Sequence, residues 1–430
     1  MPGPGAKSNV ILFFAGALFT QPLWAGSVII NQAPPVATSP VVAQEDAQSN
    51  PMNVFLPAGF LSLDPEGLFQ YSGVTLHPHV SYVVQDSTGI NYAPGNNVSV
   101  VSQEFSPGLT ADLGRHWTVD YTPTFNFFSV SELKSYVDQS GSINGVTHYE
   151  DWDLSFSQTL NSSSDPVAQT AAQTDQQAYA TTLSAGYAFN DHWEGSFQLS
   201  QDINLVSGFQ NSYTWQTTDG ATYSFSPTLN AGFSMGAGYT AVSGSSGVPG
   251  QSNPDIVNEL FQLTGGWRIT HKTSIQASVG LSDQQYLAAG YGDSLSPIFG
   301  LTLQWQPFKD TQVSLSGNRT TGASDYYVQA QSMDATTVGL TVSQQLLVKY
   351  NLVLGVDYTR DDYTSAILSQ NIFPGNVRTD NMYSFNASFG RSFFKNGSWS
   401  ITYSYQNIVS SLAGFSQHGN QIGFQIAWSY

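Results

Sequence analysis

The chain closes on Gln421-Ile422-Gly423-Phe424-Gln425-Ile426-Ala427-Trp428-Ser429-Tyr430. Ile422, Phe424, Ile426, Trp428 and Tyr430 fall on one parity, and Gln421, Gly423, Gln425, Ala427 and Ser429 on the other. In an extended chain successive side chains point to opposite faces, so this segment has one continuous apolar face and one neutral polar face. As the last strand of a water-soluble sheet it would be a long apolar edge and an aggregation hazard. Facing lipid from a closed barrel, the same strand carries no such penalty.

Working back from that strand, the same period recurs as far as about Phe69, and no 3.6-residue pattern holds over a dozen residues. Trp399, Ile401, Tyr403 and Tyr405 alternate with Ser400, Thr402, Ser404 and Gln406. Ile275, Ala277, Val279 and Leu281 alternate with Ser274, Gln276, Ser278 and Ser282, and Trp117, Val119, Tyr121, Phe125 and Phe127 with Thr118, Asp120, Thr122, Thr124 and Asn126. The pattern predicts strands near 416–430, 397–411, 379–394, 350–366, 327–345, 310–325, 294–307, 273–286, 256–270, 228–241, 211–226, 192–206, 177–190, 164–174, 148–161, 116–130, 100–113 and 69–86. Alternation is most diluted, by Ala, Gln and Thr, in 164–174 and 211–226. The tally is about 18, an even number as single-chain bacterial barrels require. Boundaries good to about 2–4 residues leave about 16 compatible as well.

The connections alternate in length. Tight polar turns are read at Gly114-Arg115-His116, Asn190-Asp191-His192, Thr270-His271-Lys272, Phe308-Lys309-Asp310, Leu347-Val348-Lys349 and Phe394-Lys395-Asn396-Gly397. Longer loops are read at 138–146, 242–255 and 361–379. Short turns at one end and long loops at the other predict a transmembrane antiparallel up-and-down β-barrel with periplasmic turns and extracellular loops. A β-sandwich would mix the two lengths at both ends. Lys272, Lys309, Lys349, Lys395 and Arg115 sit at the tight turns, where exposed turn chemistry alone also favours them.

Composition agrees with this reading. Only 10% of the 430 residues are charged while 13% are aromatic, and Gly contributes 39. That is well under the roughly 25% charged residues of soluble domains. A mean hydropathy of −0.16 is too low for a helical membrane protein. The net charge of −18 supplies no basic stripe for phosphates, which excludes nucleic acid as a partner. With no cysteine, disulfides, thiolate metal sites and Cys nucleophiles are excluded together.

Residues 1–25 read as an export signal: Lys7, then the apolar run Val10–Phe19, then Leu23-Trp24-Ala25 before Gly26. The run falls short of the roughly 20 residues a spanning helix needs. Residues 26–66, which include the Pro- and Gln-rich stretch Gln32–Pro51, read as a flexible linker, and 67–430 as the barrel.

An 18-stranded wall encloses more space than its side chains fill, so an aqueous channel is expected unless loops or the linker enter it. Asp120, Asp153, Glu194, Asp202, Asp357 and Arg268 fall on the inward parity, and five acids against one base favour cations. In a lumen this wide the same acids can equally do no more than wet the wall. Most aromatics lie on the apolar parity, Phe128 excepted, so no slide of rings for a sugar chain is read. His77 and His79 flank Pro78 and point one way, half of a metal site with no third ligand at recognisable spacing. Asp191–His192 and Ser416 with His418 are neighbours in sequence but sit in a turn and a loop, and no constellation of nucleophile, base and orienting group is visible. No catalytic residue, cofactor or metal is therefore expected.

The closing NQIGFQIAWSY resembles the C-terminal assembly signal read by the barrel-insertion machinery, with Ile422, Phe424, Ile426, Trp428 and Tyr430 as its apolar face. Together with EGLFQYSGVTLHPHVSYVVQDS, WDLSFSQTLNSSSDPVAQTAAQTDQQ and PIFGLTLQWQPFKDTQVSLSGNRT, it makes residues 67–430 similar to the β-barrel porins of Gram-negative envelopes, including barrels encoded beside exopolysaccharide export genes. That resemblance implies an outer-membrane location after export across the inner membrane. It also implies contact with outer-membrane lipid and passage of exopolysaccharide or small solutes. A structural or adhesive barrel with a blocked lumen is the alternative. About 405 residues cannot hold both a 22-stranded barrel and a globular plug, which disfavours a siderophore transporter. A linker of about 40 residues is too short to be an autotransporter passenger.

Overall fold

The computed structural model describes residues 70–71, 74–93, 96–167, 172–208, 210–244, 254–288, 292–323, 331–347, 349–365, 378–394 and 396–429. The proposed signal and linker, Lys395 and Tyr430 lie outside them. Among the described residues there is no helix.

Eighteen strands form the wall: β1 Val74–Ala93, β2 Asn96–Leu113, β3 Trp117–Phe128, β4 Tyr136–Tyr149, β5 Trp152–Ser163, β6 Gln176–Ala188, β7 Trp193–Val206, β8 Gln210–Ser226 and β9 Leu229–Gly244. The rest are β10 Ile256–Thr270, β11 Thr273–Tyr286, β12 Ser294–Phe308, β13 Thr311–Ala323, β14 Gln331–Leu346, β15 Tyr350–Ser365, β16 Arg378–Phe393, β17 Gly397–Ser410 and β18 Gln417–Ser429. Each pairs antiparallel with its sequence neighbours. β18 returns to β1, with Ser429 opposite His79 and Gln421 opposite Ser87, so the sheet closes and no edge remains. A two-residue strand, Gln70–Tyr71, folds back on Val74–Thr75 beside this seam.

The expected count is met, but through two errors that cancel. Residues 138–146, read as a loop for their Gly, Ser and Asn, belong to β4. Of residues 164–174, read as a strand, the described ones form only the two-residue pair Pro166–Val167 and Ala172–Gln173. The glycines of β4 are compatible with a lipid-facing strand because aromatic rings of β3 lie over them. A Cβ on Gly145 would stand 2.7 Å from the Trp117 indole, and one on Gly141 3.7 Å from the Tyr121 ring. Residues 164–174 offer no apolar side chain at alternate positions beyond Val167, so nothing draws them into the wall.

Parity decides the faces. Phe197, Phe261, Val279, Leu281, Leu301, Leu340 and Val356 are exposed on the outside, where lipid covers them. Aromatic rings crowd the short-turn rim: Trp152 packs against Tyr187 with ring centroids 4.7 Å apart, and Trp193 against Tyr223 at 5.0 Å. A second set, with Trp215 and Tyr239 at 6.5 Å, lies nearer the loops. Two such girdles around an apolar band are how a barrel is held at two membrane interfaces.

At the short-turn rim, His116 and His192 do equivalent work. His116 Nδ1 meets the Val146 carbonyl at 3.0 Å, and His192 Nδ1 meets the Ser224 carbonyl at 2.8 Å. Each ring thereby ties its turn to the adjoining strand, as an exposed turn histidine can without any further role.

Candidate functional site

The candidate site is the inner face. Its side chains are Ser, Thr, Gln, Asn and a few charges, small enough to leave a wide space inside an 18-stranded wall.

The six charges read from parity all sit on this face, but they differ in what they touch. Asp120 on β3 is 1% exposed; it accepts hydrogen bonds from Thr110 at 2.6 Å and Thr122 at 3.2 Å. It is a knot in the wall, not a charge presented to passing ions. Asp357 on β15 is half-buried and accepts from Ser384 at 3.3 Å. Asp202 on β7 is also half-buried. Asp153 on β5 is open, its side chain 74% exposed, and pairs with His148 of β4 at 2.7 Å. Glu194 on β7 lies close by: a Cβ on Gly186 would be 3.4 Å from its carboxylate and 3.7 Å from the Asp153 side chain. Arg268 on β10 is exposed near the same short-turn end. Of these six, Asp153, Glu194 and Arg268 are thus the charges open to the lumen.

The two histidines of β1 do not converge. His77 pairs with Asp112 of β2 at 3.0 Å, an acid that also accepts from Thr118 of β3 at 2.9 Å. His79 reaches over β2 to Thr122 on β3, Nε2 to Oγ1 2.9 Å. It passes directly above Gly108, where a Cβ would lie 2.0 Å from its ring, so Gly108 is the clearance that this bond needs. No group of three or more acids and histidines able to hold a metal occurs among the described residues. Ser416 accepts from the Ser410 amide at 2.9 Å and donates to the Ser410 carbonyl at 3.3 Å, which makes it a loop clasp.

Sequence reasoning missed the loop-end rim. There Arg378 of β16 is 5% exposed and bidentate on Asp380, Nη2 to Oδ2 at 2.6 Å and Nε to Oδ1 at 3.0 Å. Its guanidinium lies 4.2 Å from the Phe415 ring and 4.9 Å from the Tyr363 ring. A cation held between two rings and a carboxylate pins the 411–416 loop to β15 and β16. At the same loop end, Tyr136 hydrogen-bonds Asp165, and Asn126 donates to Asp138 at 2.7 Å. The inner-face rings Phe128, Tyr136, Tyr286 and Tyr363 all belong to this loop end, and no ladder of rings descends the inner face of the described strands. Only the spacing of Arg378 and Asp380, two apart and hence on one face, was open to a sequence reader.

Of the apolar set at the C-terminus, Ile422, Phe424 and Ile426 are exposed on the outer face, and Trp428 meets Phe393 and Phe394 at 6.3 and 6.4 Å.

A closed antiparallel barrel of 18 strands with an apolar, ring-girdled outside and a polar inside defines a transmembrane β-barrel of the outer-membrane type. Residues 259–430, which span β10 to β18, match the family model described as "Putative beta-barrel porin 2". No curated protein matches the chain. Among solved structures, Acinetobacter baumannii OccAB3 is 7% identical with a TM-score of 0.46, covering 83% of this chain and 99% of its own. Pseudomonas aeruginosa OpdL is 12% identical with a TM-score of 0.44, covering 83% and 98%. The siderophore receptor PirA from Pseudomonas aeruginosa is 10% identical with a TM-score of 0.43, covering 82% and 80%.

Proposed function

We propose that the barrel is a passive conduit for small hydrophilic solutes across the outer membrane, weakly selective for cations. The observation that carries this reading is the stretch of inner wall from β5 to β7 and on to β10, where Asp153 and Arg268 stand exposed and Glu194 and Ser200 half-exposed with no ring or apolar plug against them among the described residues. A polar wall exposed to water is what a permeation path requires. Exopolysaccharide is the larger cargo that the family resemblance implies. A sugar chain calls for stacking rings along its path, and the rings here gather at the loop end, which favours the smaller cargo. Liposome swelling tests the reading: vesicles carrying the refolded protein swell in monosaccharide and more slowly as oligosaccharide length grows. Vesicles that exclude every solute point instead to a structural or adhesive barrel with a blocked lumen.

In the same reading residues 1–25 are an export signal, so the mature protein begins at Gly26, which N-terminal sequencing checks. The exposed alternation Ile422, Phe424 and Ile426, completed by Trp428 and Tyr430, engages the barrel-assembly machinery.

A further inference from the structure

The outer face is not evenly apolar. A residue four to eight positions from the short-turn end of its strand lies between the two girdles, and on β1 to β4, β9 to β12 and β14 to β18 every outward residue in that span is aliphatic, aromatic, Met, Pro or Gly. On β13 the span includes Arg319, whose guanidinium turns loopward to Asp334 at 2.7 Å. The strands left over, β5 to β8, are contiguous and carry a polar block. Gln158, Thr181 and Gln201 stand side by side on one rung, and Thr217 and Asp219 continue the block on β8, opposite Leu199 and Phe197. Gln158, Thr181, Gln201 and Asp219 make no side-chain hydrogen bond or ion pair among the described residues.

Hydrocarbon satisfies none of these groups. An amide or hydroxyl left without a partner there is unfavourable, and a carboxylate in a membrane normally faces protein or water and finds a partner. Asp219 is four residues from Tyr223 of one girdle and four from Trp215 of the other, so its short side chain reaches neither interface. A surface that covers the block must donate to Asp219 and take up the amide and hydroxyl groups beside it.

The block itself has both properties. A two-fold axis normal to the membrane keeps each side chain at its depth and exchanges left for right, so that one patch meets another copy of itself. An axis between β6 and β7 sets β8 of one barrel against β5 of the other. Thr217 is six residues from Tyr223 and Gln158 is six from Trp152, both of the short-turn girdle, so Thr217 and Gln158 face each other at one depth. Asp219 lies one outward position nearer the short turns, where the long Gln158 side chain reaches it with an amide donor. Ala185, Ala221 and Ala237 on the same face are small enough for the two walls to come close.

We propose that two copies of this chain pair in the membrane through the outer faces of β5 to β8, with Asp219 of each barrel hydrogen-bonded by Gln158 of the partner subunit. The pairing does not depend on what the lumen conducts. The chain has no cysteine, so one introduced thiol reports one position. Thr181→Cys, beside the axis on β6, and Val279→Cys, on the outward face of β11, are each made in the mature chain and refolded into liposomes, with folding checked by heat-modifiable gel migration. A short bis-maleimide converts Thr181→Cys to a species of twice the chain mass and leaves Val279→Cys single. Adding Asp219→Leu to Thr181→Cys lowers that yield about tenfold or more, the loss that follows when one partner of a buried hydrogen-bonded charge is removed. Leu suits a lipid-facing position, so the separate barrel still folds. Adding Asp219→Asn instead keeps an acceptor and retains most of the yield. Equal yields at the two thiols, or a yield that Asp219→Leu leaves unchanged, overturn the proposal. If any variant fails to fold, native mass spectrometry of the unsubstituted chain released from lipid nanodiscs decides: the mass of two chains supports the proposal, and the mass of one, or of three or more, overturns it.

Discussion

Replacing Gly89 by alanine tests whether the seam is built as described. Gly89 sits in β1 at a bulge, where the pairing with β2 shifts between Ser87 and Ile90, and its φ is +76°. An alanine there adopts a left-handed conformation at a cost of about 1–2 kcal/mol. The added Cβ would also fall 1.9 Å from the His418 carbonyl oxygen and 3.0 Å from the Gly419 Cα, both backbone atoms of β18 that no rotamer change can move. Relief requires β18 to withdraw, which breaks the clasp beside it, where the Asn420 amide donates to Thr88 Oγ1 at 3.1 Å and that hydroxyl faces the Asn420 carbonyl at 3.4 Å. Overpacking of this kind adds about 1–3 kcal/mol, so the total is about 2–5 kcal/mol. Gly114→Ala is the control: φ is +69° at a tight turn with nothing within 4 Å of a Cβ, so it bears the conformational cost alone. Reversible urea unfolding in detergent or lipid, followed by tryptophan fluorescence, measures both. The expectation is that Gly89→Ala exceeds Gly114→Ala by about 1–3 kcal/mol. Equal losses would show that β18 does not lie against Gly89 and would refute the seam register.

Further outcomes follow from other parts of the wall. Asp219 is exposed on the outer face of β8, paired across to Phe197 and Met235 and lying between the Trp193–Tyr223 and Trp215–Tyr239 girdles. Asp219→Leu therefore stabilises the barrel by about 1–2 kcal/mol in lipid, read by the same urea titration. Arg378→Met strands Asp380 in a buried site and costs roughly 3–5 kcal/mol, whereas Arg378→Met with Asp380→Leu recovers most of the loss. Asp153→Asn with Glu194→Gln removes two acids from the open wall and lowers the cation-to-anion permeability ratio by about twofold, a modest effect because charges are screened over about 8 Å in a wide lumen. Asp120→Asn leaves that ratio unchanged, since the carboxylate is held by Thr110 and Thr122 within the wall.

How much was legible in the sequence can be told from particular residues. A wall with lipid on one face and water on the other writes itself into every second residue, so strands such as Ile256–Thr270 and Thr273–Tyr286 are read to the residue. β4 escaped because Gly141 and Gly145 on its outer face borrow their apolar cover from Tyr121 and Trp117 of the strand before, and a residue's own type does not show what a neighbour lends it. Parity assigns a side chain to a face without saying what it touches there. Asp120 and Asp153 share the inward parity, yet one is tied into a network while the other stands in the open. The Arg378 clasp joins residues of three separate segments and leaves no local signature.

The central claim is that the barrel conducts. Single-channel recording of the refolded mature chain in a planar bilayer, under a KCl gradient, tests it most directly. The account predicts discrete, stable current steps with a reversal potential of the sign for cation preference. A barrel shown to be folded by heat-modifiable migration that stays silent would contradict it.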